Sequence, residues 1–80
     1  MTTEIVSGAQ IRMARGLLRW SVKELSEKSS IGTSTIKRAE EVDGLPNTTV
    51  PKLQSLHDAF ILSGQVRFVG TTGVEVIKKD

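Results

Sequence analysis

The side chains with most chemical capacity are gathered in the run Thr33-Ser34-Thr35-Ile36-Lys37-Arg38. Read as a helix over residues 33–42, a step of about 100° per residue places Thr33, Lys37, Ser34 and Arg38 within one arc of roughly 140°. Thr35, Ile36, Ala39 and Val42 fall on the other side. Two hydroxyls and two long cations on one face suit acceptor atoms on base edges and phosphate oxygens, and a helix N-terminus adds free amides and partial positive charge. An ordinary amphipathic helix with a solvated polar face has the same pattern, so the arc needs support from its surroundings. Other chemistry finds less. With no Cys and the single His57, neither a thiolate site nor a histidine metal cluster can be built. His57 and Asp58 are neighbours on a helical stretch, where adjacent residues point about 100° apart, so they are not expected to orient each other as an acid–base pair. No catalytic residue, metal, cofactor or small-molecule ligand is expected. Trp20, the one tryptophan, is expected to pack beside a turn rather than offer a stacking platform.

The elements that must carry this arc follow from caps and periodicity. Ser7-Gly8-Ala9-Gln10 has capping-box spacing, with Ile11, Ala14 and Leu18 recurring at helical intervals, which gives a first helix running to Arg19. Ser21-Val22-Lys23-Glu24 is a second capping box and starts a helix that buries Val22 and Leu25. Ser29-Ser30-Ile31-Gly32 makes a sharp turn in which Ile31 plugs the core. The third helix, residues 33–42, is broken by Asp43-Gly44-Leu45-Pro46-Asn47. Val50, Leu53, Leu56 and Phe60 mark a fourth, with Thr48 or Thr49 as cap, Pro51 in its first turn and Gly64 past its end. The period then changes to alternation. A hairpin with Thr71-Thr72-Gly73 as its loop and Gly73 left-handed would put Val66, Phe68, Val74 and Val76 on one face. Arg67, Glu75, Val69 and Ile77 would share the other. The fold class is therefore mainly α, four helices with a C-terminal β-hairpin. Residues 1–6 form a short arm, 7–63 the helical domain, and 64–80 a hairpin that belongs to the same domain or serves dimerisation.

Eighty residues fit one domain, whose function must sit on the outside of a small core. The N-terminus lacks a leader pattern and no run nears the ~18 apolar residues of a membrane span, so a cytoplasmic protein is the default expectation. A net charge of +2 is too small to argue for nucleic acid. Between Trp20 and Gly44 the cations Lys23, Lys28, Lys37 and Arg38 are outnumbered by Glu24, Glu27, Glu40, Glu41 and Asp43. Geometry must carry the case.

Residues 15–40, with Trp20-Ser21 before Glu24-Leu25 and Ile31-x-x-x-Thr35-Ile36 ending in Glu40, resemble the lambda-repressor and Cro-like helix-turn-helix family, also called Xre-like. The resemblance covers roughly residues 9–62, and the tail Gly64-Gln65-Val66-Arg67-Phe68 is similar to small bacterial or phage members. It implies a lambda-repressor-like DNA-binding domain and a sequence-specific transcriptional regulator, a repressor, acting on double-stranded DNA. The family's base-reading positions fall on Thr33, Ser34 and Lys37, with Arg38 beside them; Ser21, Lys23 and Arg15 complete the set expected to meet DNA. It also implies that Arg15 pairs with Glu40. Three positions depart from the pattern: Val22 stands where a phosphate-binding Gln is usual, Gly32 where Ser often caps, and Ala39 where a larger apolar residue is common. The competing reading, kept open by Val22 and the acids Glu40, Glu41 and Asp43, is a protein-interaction module such as an antitoxin or adaptor. A homodimer is expected, built through the hairpin, because one such helix reads few base pairs. Lys52, Lys78 and Lys79 are read as solvated cations.

Overall fold

The computed structural model describes residues 6–77. The chain runs α1 (Gly8–Leu18), α2 (Val22–Ser29), α3 (Thr33–Glu40), α4 (Val50–Leu62), β1 (Val66–Val69) and β2 (Gly73–Val76). It is a small, mainly helical fold closed by a two-stranded antiparallel hairpin. No helix among the described residues is long and apolar enough to cross a membrane.

Both capping boxes are present. Ser7 Oγ accepts from the Gln10 amide at 3.1 Å and the Gln10 side chain accepts from the Ser7 amide at 3.0 Å. Ser21 and Glu24 exchange the equivalent bonds at 3.0 and 3.1 Å. α1 and α2 each stop at a residue in the left-handed region, Arg19 (φ 57°) and Ser30 (φ 63°), which turns the chain sharply and satisfies carbonyls of the last turn. Ser29, buried, uses its Oγ to accept from the Ile31 amide at 3.2 Å and so shapes the α2–α3 turn. Val22 is half-buried against the core rather than inside it, whereas Leu25 is fully buried.

The core gathers Val6, Ile11, Leu25, Ile36, Leu56 and Phe60. Phe60 is its aromatic centre: Trp20 stacks on it at 5.6 Å and Phe68 meets it edge-on at 5.9 Å. Such pairs add about 0.5–1.5 kcal/mol beyond the area they bury. Val6 is buried, so the last residue of the expected arm packs into the core. The rest of the arm, residues 1–5, lies outside the described residues, as do Lys78 and Lys79.

Two expectations for the helices change. α3 ends at Glu40, two residues before the predicted Val42, and Val42 is 41% exposed instead of facing the core. The reason is the approach of α1. The Gly8 amide donates to Gly44 O at 2.9 Å and the Ala9 amide to Asp43 O at 3.3 Å, which pulls the chain away from helical geometry just past Glu41. Val50 likewise leaves the apolar stripe of α4 and is 45% exposed, while Leu53, Leu56 and Phe60 are buried. Thr49 occupies the N-cap position of α4, but its hydroxyl makes no capping bond.

The hairpin pairs Val66 with Val76, Arg67 with Glu75, Phe68 with Val74 and Val69 with Gly73. Its loop is therefore Gly70-Thr71-Thr72, and the left-handed residue is Gly70 (φ 60°), not Gly73, which stands in β2. The expected division of faces holds although the pairing changes: moving the loop back by one residue pairs Phe68 with Val74 instead of Val76, and a register shift of two residues keeps every side chain on its face. Val66 is buried, with Phe68 and Val74 partly so, and the inner face rests on α1 and α4 of its own chain. Gln10 fixes it there. Fully buried, its Nε2 donates to Gly70 O and Gly73 O, both at 3.0 Å, while its Oε1 serves the cap.

The α1–α3 seam sets a clear test. A Cβ on Gly8 would overlap the carbonyl oxygens of Val42 and Ala39, whereas one on Gly16, in the same helix, would meet nothing. Gly8→Ala is expected to cost about 1–3 kcal/mol by forcing backbone apart, and Gly16→Ala to gain about 0.5–1 kcal/mol of helix stability. Opposite shifts of the melting temperature check both.

Candidate functional site

α3 begins at Gly32, which has extended geometry (φ −62°, ψ 148°) and no side chain to cap with. The first helical bond there runs from the Ile36 amide to Gly32 O at 3.1 Å, so the amides of Thr33, Ser34 and Thr35 have no partner within the helix. Ile36 and Ala39 are buried and anchor the helix, and Thr35 is half-buried beside them. Thr33, Ser34, Lys37 and Arg38 are all exposed. The structure thus brings the four together on the outer side of one short helix, with free amide groups at its tip.

Ser21 and Lys23, at the start of α2, are exposed as well. The Ser21 oxygen is already an acceptor in the cap, which leaves its hydroxyl hydrogen available to a ligand. Trp20 is not available for stacking on a ligand. Phe60 takes one side of the ring and Lys28 Nζ stands 5.0 Å from its centroid.

Arg15 has a structural occupation. Its Nε and Nη2 donate to the two carboxylate oxygens of Glu40, each at 2.8 Å, and its Nη1 donates to Trp20 O at 3.1 Å. The fork is two-pronged and partly buried, with side-chain exposures of 27% for Arg15 and 10% for Glu40. Hydrogen bonding to Glu40 holds the Arg15 guanidinium above its ordinary pKa, against the opposing pull of burial. One turn earlier on α1, Arg12 was missed by sequence reasoning. It donates to the carbonyls of Glu40 and Val42, the latter at 3.2 Å, and to the Asp43 carboxylate. Nothing local marks it, because its partners lie about thirty residues away and are set only by how α1 crosses α3.

Beside α3 an open groove of about 590 Å³ runs to the start of α4. Arg38 and Glu41 stand on its α3 side, with Thr48, Thr49 and Lys52 on the other. Lys52, expected to be merely solvated, therefore faces the same space as Arg38. α4, like α3, opens without a side-chain capping bond. Glu41 is the acid on this side, exposed and without a salt bridge among the described residues.

His57 and Asp58 correct another expectation. His57 Nδ1 lies 3.2 Å from Asp58 Oδ1, because Gln54, one turn back, donates to the same oxygen at 2.9 Å and draws the carboxylate over the helix surface. Side-chain flexibility overcomes the angular separation of the two Cβ bonds. The His57 ring lies against Phe68 at 5.3 Å, so this cluster belongs to the junction of α4 with β1 and not to the α3 face. Among the described residues no group of three or more His, Cys, Asp and Glu side chains could hold a metal ion. Comparison with protein-family models, curated proteins and solved structures gave no match to the chain.

Two measurements follow from these clusters. Glu40→Ala leaves Arg15 half-buried without its partner and is expected to cost about 1–3 kcal/mol, between the ~0–1 of an exposed pair and the ~3–5 of a fully buried one. A denaturant titration reads the loss. The Gln54 hydrogen bond, then His57, holds the Asp58 carboxyl below its ordinary pKa. That stabilisation is complete above the ordinary carboxylate range and fades as pH falls through the lowered value. Gln54→Ala should return the Asp58 midpoint toward the ordinary range in an NMR titration.

Proposed function

We propose that the protein is a DNA-binding regulator of the lambda-repressor-like helix-turn-helix type, in which α2 lies across the duplex and α3 enters the major groove. The observation that carries this reading is the exposed set on the outer side of α3, Thr33 and Ser34 at its uncapped start with Lys37 and Arg38 one turn further on. Lys37 and Arg38 can reach guanine acceptors or phosphates, and the Thr33 and Ser34 hydroxyls can serve either base edges or backbone. Arg38 and Lys52, facing each other over the groove, suit a phosphate path alongside α3.

The excess of acids around this region loses much of its weight once partners are counted. Glu40 is held by Arg15 and Asp43 by Arg12, both cations supplied by α1. Glu24 is turned to its own cap. Of the acids on and just after α3, Glu41 remains, close to Arg38. A DNA phosphate near Arg38 would feel both.

A protein-interaction module is the second reading, favoured by Val42, Leu45 and Val50, which are 41%, 69% and 45% exposed, Val42 lining the groove with Glu41. DNA binding separates the two, because a DNA reader keeps a salt-dependent affinity even for random sequence.

Lys37→Ala and Arg38→Ala should leave the melting temperature unchanged and weaken DNA binding. A base-specific contact should cost about 1–3 kcal/mol at one base position, whereas a phosphate contact should weaken binding to every sequence and lower the salt slope by about 0.9. Glu41→Gln should tighten binding to any duplex. Fluorescence anisotropy over a salt series measures all three, and an unchanged affinity in the Lys37→Ala, Arg38→Ala double variant would favour the interaction module.

A further inference from the structure

Leu62, in the last turn of α4, is 85% exposed, more than any other large apolar side chain among the described residues. It stands on the wall of a cavity of about 240 Å³, lined otherwise by Trp20, Lys28, Ala59 and Ser63. This is not the groove beside α3. Lys52 and Leu62 lie roughly 15 Å apart along α4 at its rise per residue, and no residue of α3 lines the cavity.

The polar groups that a ligand could use here reduce to one. Ser63 Oγ donates to Phe60 O at 2.6 Å and accepts from the Gln65 amide at 3.2 Å. The neighbouring carbonyl at the end of α4, Ile61 O, is taken by the Gly64 amide at 3.0 Å. Lys28 is left. Its ammonium stands 5.0 Å from the Trp20 ring centroid and makes no salt bridge among the described residues. It offers three donors and no acceptor, and its place in the last turn of α2 favours the charged form. The volume limits the guest: it falls below the ~300–1,000 Å³ of small-molecule sites and suits one anchoring side chain of a protein partner. With Phe60 and Lys28 already on the indole, that side chain is aliphatic and not a stacked ring.

We infer that this cavity docks an acidic, aliphatic segment of a partner protein. One leucine-sized side chain enters between Trp20, Ala59 and Leu62, and a neighbouring carboxylate meets Lys28. Charge selects the partner, because Lys28 is the one charged residue lining the cavity and repels a basic segment. A phosphate backbone would satisfy Lys28 but leave Leu62 uncovered. The surface shares no residue with Val42, Leu45 and Val50, and since it avoids α3 the partner can be held whether or not α3 is occupied. The inference therefore stands apart from the DNA-binding reading.

The test uses the isotope-labelled full-length chain without DNA. The probe is an acetylated and amidated pentapeptide with adjacent leucine and aspartate among glycines. The indole N–H of Trp20, the one tryptophan, reports on the cavity by itself. Its resonance should shift and saturate at millimolar peptide. Glycine in place of the leucine should weaken binding about tenfold or more, the loss of a buried leucine, and asparagine in place of the aspartate about two- to fivefold, the loss of an exposed ion pair. Lys28→Glu should reverse the order, so that a lysine-bearing peptide binds better than the aspartate one, and Leu62→Ser should weaken them all. Both residues are exposed, and circular dichroism checks that the variants fold. A Trp20 signal that the aspartate peptide does not move, equal responses to the aspartate and lysine peptides, or an unchanged order in Lys28→Glu would each overturn the site. A signal that follows the protein's own concentration and ignores the peptides would assign the cavity to a second copy of the chain and overturn it as well.

Discussion

The N-terminus of α1 is laid against the C-terminal end of α3, and most of the molecule is arranged around that contact. Gly8 has no Cβ, so its amide can approach the turn after Glu41 closely enough to bond to Gly44 O. The partial positive end of one helix thereby meets the partial negative end of the other. Arg12 and Arg15, one turn apart on α1, then take up the carbonyls and carboxylates that gather at the end of α3. A helix of eight residues is too short to hold itself together in water, and α3 owes its existence to this clamp and to Ile36 and Ala39 in the core. Because Glu40 and Asp43 are satisfied by α1, the outer side of α3 is left with the hydroxyls and open amides of its first turn and the cations Lys37 and Arg38 of its last.

The hairpin depends on the same helix from its other side. Gln10 closes the cap of α1 and reaches two carbonyls of the hairpin, so one amide group couples the start of the domain to its end. Removing it would orphan buried polar groups at about 1–3 kcal/mol each. Phe60 supplies the matching apolar tie, between Trp20 on the α2 side and Phe68 on β1. The tail is thus an integral wall of the core, with Val66 buried in it and Phe68 and Val74 packed against it.

Much of this was legible in the sequence wherever the signal was local. The capping boxes at Ser7 and Ser21 and the alternation from Val66 onward report on neighbours a few residues away, and they place helix starts and strand faces well. Helix ends were harder where tertiary contacts decided them: nothing near Val42 says that the Gly8 amide will bond Gly44 O or that Arg12 will take the Val42 carbonyl. The shift of the loop from Thr71-Thr72-Gly73 to Gly70-Thr71-Thr72 has a similar origin, because two glycines flank the two threonines and either can take a left-handed turn. Arg12 is the clearest omission at the site, an unremarkable polar residue on α1 until α3 is laid across it. The exposure of Lys37 and Arg38 followed from helical periodicity alone. The Arg15–Glu40 contact did not, and entered only through resemblance.

The central claim is that the exposed start of α3 meets DNA. Its most direct test is a titration of the isotope-labelled protein with a short random-sequence duplex at low salt, followed by amide chemical shifts. The account predicts that the largest changes fall on Thr33, Ser34, Lys37 and Arg38, with smaller ones at Ser21, Lys23 and Lys52 and almost none on the outer face of the hairpin. Spectra that do not move, or changes centred away from α3, would contradict it.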